Sequence, residues 1–132
     1  MEVFFYGLFM DEALLRGKGL RPSGRRVARV EDFRLVIGER ATLLPAAGGE
    51  VYGILFSLTP AEVDALYSEE SVSAYCPEAV CAQAADGTAV PALCFNLPAP
   101  PAPAERNPLY AAKLRELAAR LELPADYVSS IV

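Results

Sequence analysis

The chain has 132 residues, a formal net charge of −5, no histidine and three cysteines. That length fits one domain, residues 1–132, and the acidic balance without a basic stripe argues against a nucleic-acid partner. The missing histidine excludes Ser-His-Asp and Cys-His devices and any histidine-held metal, and no apolar stretch is long enough for a transmembrane helix.

The chain opens on an apolar strand over residues 2–6, Val3-Phe4-Phe5-Tyr6, that runs into Gly7. Glycine has no Cβ, so a ligand or a bent backbone can approach closely there. A strand-end turn of this kind can aim several backbone N–H groups at one anion. Glu2 stands where a secretory leader carries positive charge, so the expected location is cytoplasmic. Met10 to Arg16 reads as a short helix with Asp11 and Glu12 at its positive end and Gly17 at its exit. A loop follows to Gly24, then a strand region from Val27 to Ile37, with Arg25-Arg26 read as a solvated pair and Arg34 as a solvated strand residue or, alternatively, a partner for a substrate carboxylate. Ala41 to Leu44 reads as a short apolar piece ending at Pro45. Gly48-Gly49 reads as a turn into a strong strand over Val51–Leu58.

Thr59-Pro60-Ala61-Glu62 is a capping box with proline at the first helical position, so a helix follows with Val63 and Leu66 buried, fading near Ser68. Residues 76–84 and 88–95 flank Asp86-Gly87, a strong hairpin signal, and Pro91 puts the second run at an edge or a bulge. Cys76, Cys81 and Cys94 form no C-x-x-C pair and read as core thiols on strands. Pro98 to Pro103 reads as an extended surface connection. Asn107-Pro108 starts the best helix, with Tyr110, Leu114, Leu117, Ala118 and Leu121 on one face. Pro124 ends it and opens a short last helix carrying Tyr127 and Ile131. The hairpin and the lack of regular β-α alternation predict a mixed α+β domain, not a doubly wound nucleotide fold.

Glu69-Glu70 lies just past the predicted 60–68 helix. The negative helix end and the neighbouring like charge both disfavour ionisation, which suits a carboxylate to act as a base. Two solvated glutamates at a helix end are the plainer reading of the same residues. Tyr75 and Tyr110 read as core aromatics with hydroxyls at the surface, or as pocket-lining groups.

In order along the chain, Phe4-Phe5-Tyr6-Gly7-x-x-Met10, Phe33-Arg34-Leu35, Ala41, Val51-x-Gly53-x-Leu55-Phe56-x-Leu58, Leu66-x-x-x-Glu70, Tyr75, Asn107-Pro108-x-Tyr110 and Leu123-Pro124-x-x-Tyr127 resemble the gamma-glutamylcyclotransferase-like family. The resemblance implies a small β-barrel-like α+β domain whose cavity holds a gamma-glutamyl group. It implies that Tyr6, Gly7, Leu8 and Phe9 bind substrate and that Glu70 is the catalytic glutamate, with Glu69 the fallback if the frame slips by one. The implied reaction closes the gamma-glutamyl group of a small amine or peptide conjugate to 5-oxoproline and releases the amine, with no metal, nucleotide or other cofactor. It requires Glu70 to point into a closed cavity near residues 7–9. Leu8 stands where the family has Ser or Thr, Phe9 where it has leucine, Tyr67 where it has aspartate, and Ser71 where glycine usually follows the glutamate. These departures favour an altered substrate preference. The alternative is a non-catalytic small-molecule binding domain of the same fold, and a structural or interaction domain is a third reading.

Overall fold

Alternation along the first strand sets the architecture, because successive side chains point to opposite faces. In the computed structural model, which describes residues 1–132, β1 spans Glu2–Phe5. Phe4 and the adjoining Tyr6 enter one buried cluster, and Val3 and Phe5 enter another. A strand buried on both faces reads as a continuous apolar run, which is what Val3 to Tyr6 shows.

β2 (Ser23–Ile37), β3 (Ala41–Ser57), β4 (Cys76–Ala84) and β5 (Ala89–Asn96) complete the sheet. The strands close into a barrel in the order β1-β3-β2-β4-β5, with β1 and β5 parallel at Val3 and Leu93 and the other pairs antiparallel. Four helices flank it: α1 (Glu12–Gly17), α2 (Pro60–Tyr67), α3 (Pro108–Arg120) and α4 (Ala125–Ser130). Phe4, Val30, Val51, Leu55 and Cys94 form one core with the small residues Ala28, Ala82 and Ala92, all from strands. That composition marks the barrel interior. Ile54 and Phe56 alternate out of it and pack on Leu15, Val63, Leu66, Leu114 and Leu117 of the helices. The expected α+β barrel is therefore present.

The capping box on α2 is complete: the Glu62 N–H donates to Thr59 Oγ1 at 3.1 Å and the Thr59 N–H to Glu62 Oε1 at 2.9 Å. The hairpin turns at Asp86-Gly87, with Gly87 at φ +89°. Asp11 caps α1 by accepting from the Ala13 N–H, but the first helical piece is split, because Leu8–Met10 form a separate 3-10 turn. β2 also begins earlier than expected, at Ser23, and Arg26 is not freely solvated but ion-paired with Glu2.

The largest correction concerns β3. Ala41–Leu44 and the run from Val51 are not separate pieces but parts of one 17-residue strand that ends at Ser57, one residue short of the expected Leu58. Gly48-Gly49 is not a chain reversal. It accommodates a register shift between Glu31 and Phe33 in the partner, where Asp32 takes φ +65°. The Gly48 N–H donates to Asp32 Oδ1 at 3.0 Å. A Cβ on Gly49 would lie 2.3 Å from the Phe33 carbonyl oxygen. Pro45 stays in the ladder opposite Phe33 because β1 pairs only with residues 54–57 of β3, so the other edge needs no N–H there.

The cysteines are on strands, but only Cys94 is a core thiol; Cys76 and Cys81 are exposed. Burial pushes the Cys94 thiol up to about 12. Thiolate is the reacting species, so a disulfide-exchange dye is expected to label two thiols in the native protein and the third only after denaturant is added.

Candidate functional site

β1 and β5 are parallel, so both end at the same rim of the barrel, and a cavity of about 360 Å³ opens there. Its walls are mainly apolar and aromatic: Phe4 and Phe5 from β1, the adjoining Tyr6, Phe95 from β5, Tyr67 from the end of α2, Tyr75 before β4 and Tyr110 from α3. The Tyr67 ring stacks on Phe95 at 3.9 Å and 14°, and Phe9 meets Tyr67 edge-on at 6.1 Å. The Tyr6 hydroxyl donates to the Phe95 carbonyl at 2.7 Å, and the Tyr75 hydroxyl donates to the Ala41 carbonyl. These two bonds tie the rings to the rim strands. Burial raises the Tyr110 phenol to about 12 and pushes Tyr6, Tyr67 and Tyr75 above their ordinary value. The aromatic wall is therefore uncharged at neutral pH.

Tyr6, Gly7, Leu8 and Phe9 all line the cavity. Met10 N–H donates to the Gly7 carbonyl and Asp11 N–H to the Leu8 carbonyl, closing the 3-10 turn. The N–H groups at the start of such a turn have no partner within it. Those of Gly7 and Phe9 have no acceptor in the chain, and Leu8 has only the Tyr110 hydroxyl beside it. The turn thus offers half-buried backbone donors to a ligand anion or oxyanion. Gly7 itself has φ −110°, an ordinary extended value. The Tyr110 hydroxyl packs against it, since a Cβ there would lie 2.6 Å from Tyr110 Oη.

Glu70 is not on the cavity wall. It opens the 3-10 turn Glu70–Val72 with its side chain exposed, while the next two residues, Ser71 and Val72, line the cavity. The geometry required of Glu70, a carboxylate inside a closed cavity, is not met; the turn sets it at the rim, facing solvent. Glu69 is engaged elsewhere: both its oxygens lie 2.8 Å from Lys18 Nζ. Tyr67, in the position where aspartate was expected, fills space against Phe95. The chain brings together no group of three or more Cys, Asp or Glu able to hold a metal ion.

Three charged residues of the rim escaped the sequence reading: Lys18 just after α1, and Glu39 and Arg40 in the tight turn between β2 and β3. The segment read as a surface connection clamps that turn. Glu105 accepts from the Glu39 N–H at 3.0 Å and from the Ala102 N–H, and Asn107 Nδ2 donates to the Glu39 carbonyl at 2.9 Å. Pro101 packs so closely on Gly38 that a Cβ there would lie 2.5 Å from it. No local pattern announces this contact; only a glutamate shortly after a proline run hints at one. Tyr75 and Tyr110 line the cavity, so the second of their two readings applies. Arg34 is an exposed strand residue away from it.

The bonds from Glu39 and Ala102 hold the Glu105 carboxyl below its ordinary value of 4.5. A carboxyl depressed in the folded state stabilises it above the unfolded value and loses that contribution as pH falls through the folded value. The clamp is expected to release as pH falls through that lowered value. Glu105→Ala is expected to release it at neutral pH as well, read as faster amide hydrogen exchange at Glu39 with the overall melting curve little changed.

The family model for gamma-glutamyl cyclotransferase, AIG2-like, matches residues 3–114. A comparison with curated protein sequences finds no match. Among solved structures, one named gamma-glutamyl cyclotransferase superposes with a TM-score of 0.78 at 20% identity, covering 100% of this chain and 88% of the other. A human protein described as uncharacterised gives 0.76 at 21% identity, covering 99% and 87%. A mouse AIG2-like protein gives 0.61 at 19%, covering 83% and 80%. At these identities the structural likeness carries the fold, and the family match carries the kinship.

Proposed function

The chain belongs to the gamma-glutamyl cyclotransferase, AIG2-like family, and from that premise we propose that it binds a gamma-glutamyl conjugate at the barrel rim and cyclises it to 5-oxoproline. The observation that carries the reading is the turn at residues 6–9, which lines the aromatic cavity and whose Gly7 and Phe9 N–H groups have no acceptor in the chain. The substrate's α-ammonium gives a proton to a carboxylate, assigned to Glu70, and the freed amine attacks the γ-carbonyl of the same molecule. The tetrahedral oxyanion collapses, the C–N bond to the leaving amine breaks, and that amine takes a proton back. Nucleophile and electrophile share one molecule, so the protein mainly has to hold the folded conformer. The N–H groups of residues 7–9 suit the α-carboxylate or the developing oxyanion. The test supplies gamma-glutamyl amines, gamma-glutamyl dipeptides and glutathione, and measures 5-oxoproline and released amine together.

One observation favours a second reading. Glu70 faces solvent, as suits a binding domain of the same fold that lacks the chemistry. Ligand-induced thermal stabilisation without any 5-oxoproline would decide for it. No helix of the chain is long and apolar enough to cross a membrane, and the proposed partner is a small molecule.

A further inference from the structure

The turn that carries Glu70 is closed mostly upon itself. The Val72 N–H donates to the Glu69 carbonyl at 3.1 Å, the Tyr75 N–H to the Val72 carbonyl at 3.1 Å, and the Ser73 hydroxyl to the Glu70 carbonyl at 3.2 Å. These bonds are all local. One polar contact ties the turn to a distant element: Lys18 Nζ lies 2.8 Å from both carboxylate oxygens of Glu69. Lys18 has a firm footing, since its own N–H donates to the Leu15 carbonyl at the end of α1. Its ammonium also stands over the Phe9 ring, 5.8 Å from the centroid. Lys18, Phe9, Ser71 and Val72 all line the cavity, so the ion pair joins α1 to the turn beside it. Glu69 and Glu70 are consecutive. The contact that fixes Glu69 therefore also fixes Glu70 where it stands, exposed and off the cavity wall.

We infer that the Lys18–Glu69 ion pair is a latch on this turn: it holds Glu70 outside the cavity and opens before Glu70 reaches a bound conjugate. Lys18 is then a positioning residue that acts through Glu69 and touches no reacting atom. The inference rests on the cyclisation reading and adds to it a control by ionic strength. The two side chains are 28% and 38% exposed, so dissolved salt screens the pair. A pair this exposed is weak, which suits a latch that opens in every turnover.

The test uses Lys18→Met, which keeps the length of the side chain and removes its charge, and follows the turn by amide hydrogen exchange in the ligand-free protein. Exchange at Val72 and Tyr75 is expected to be about 2- to 5-fold faster than in the wild type, the range for losing an exposed ion pair. Raising NaCl from about 0.05 M to about 0.5 M is expected to speed the same amides in the wild type and to leave them unchanged in Lys18→Met. Lys18→Arg, which keeps the charge, is expected to behave as the wild type does. With gamma-glutamyl amines, gamma-glutamyl dipeptides and glutathione, kcat/KM is expected to rise in Lys18→Met by the same factor as the exchange; a pair that merely braced the site would lower it. Unchanged exchange in Lys18→Met, a salt response that survives the substitution, fast exchange in Lys18→Arg, or a kcat/KM that does not rise overturns the latch while leaving cyclisation intact. If no conjugate yields 5-oxoproline in wild type or variant, the cyclisation reading fails instead. Exchange at Val72 and Tyr75 then still decides whether the pair holds the turn.

Discussion

Gly53→Ala is expected to be far more destabilising than its single added methyl group suggests. Gly53 lies in β3, where the barrel wall is buried on both faces. A Cβ at this position would sit 2.2 Å from the Phe5 carbonyl oxygen and 2.7 Å from the Phe4 ring. The nearer atom is backbone of the paired strand, which cannot rotate away as a side chain can. Relief requires β1 to move off β3, against the ladder that joins Glu2–Phe5 to Ile54–Ser57. Overpacking a core typically costs about 1–3 kcal/mol, and a rigid backbone neighbour puts this site at or above ~3 kcal/mol. For a domain of this size that is roughly 10 °C of melting temperature. Thermal unfolding followed by circular dichroism measures it. A fall of less than about 3 °C would show that β1 gives way easily. Gly7→Ala is the contrast: its Cβ meets only the tip of the Tyr110 side chain, so the ring turns and the cavity changes more than the stability does.

The elements with strong local chemistry were legible in the sequence. The Thr59–Glu62 box, the Asp86-Gly87 hairpin, the Asn107-Pro108 helix start and the doubly buried β1 each carry their own signal, and the ordered resemblance joined them into a barrel. What failed were features decided by partners distant in the chain. Gly48-Gly49 carries the composition of a turn, yet Asp32, sixteen residues earlier, turns it into a bulge in a continuous strand. Cys81 stands beside the buried Ala82 and so on the opposite, outer face of β4, and Cys76 opens that strand; both are exposed. Arg40 sits beside the cavity only because Glu105 and Asn107 hold its turn from more than sixty residues away. The turn at residues 6–9 was found through Gly7, and the space a Cβ there would enter is taken by the Tyr110 hydroxyl.

Glu70→Gln is expected to lower kcat for 5-oxoproline formation by about 10²- to 10⁴-fold, the usual contribution of a positioned general acid or base. Glutamine keeps the shape and polarity of the side chain but cannot take the ammonium proton. Because Glu70 is exposed and its side chain makes no hydrogen bond or ion pair within the chain, the substitution is expected to leave the melting temperature within about 1 °C, as surface changes usually do. Rate and stability therefore separate cleanly at this residue. Ser71 and Val72, next to Glu70 in the chain, line the cavity and Glu70 does not, so a catalytic Glu70 has to come inward when a conjugate binds. Catalytic contacts often tighten only once substrate is present. That step has its own readout: protection of the Ser71 and Val72 amides from hydrogen exchange is expected to increase on adding a gamma-glutamyl conjugate to Glu70→Gln, where no turnover consumes it. A rate equal to wild type would remove Glu70 from the chemistry. Glu69→Gln then becomes the next variant to assay, with the caution that it also breaks the ion pair to Lys18. If both variants match a wild type that produces no 5-oxoproline while the conjugate still raises its melting temperature, the cavity is a binding site alone. The solvent-facing Glu70 would then be the simplest physical sign of that change.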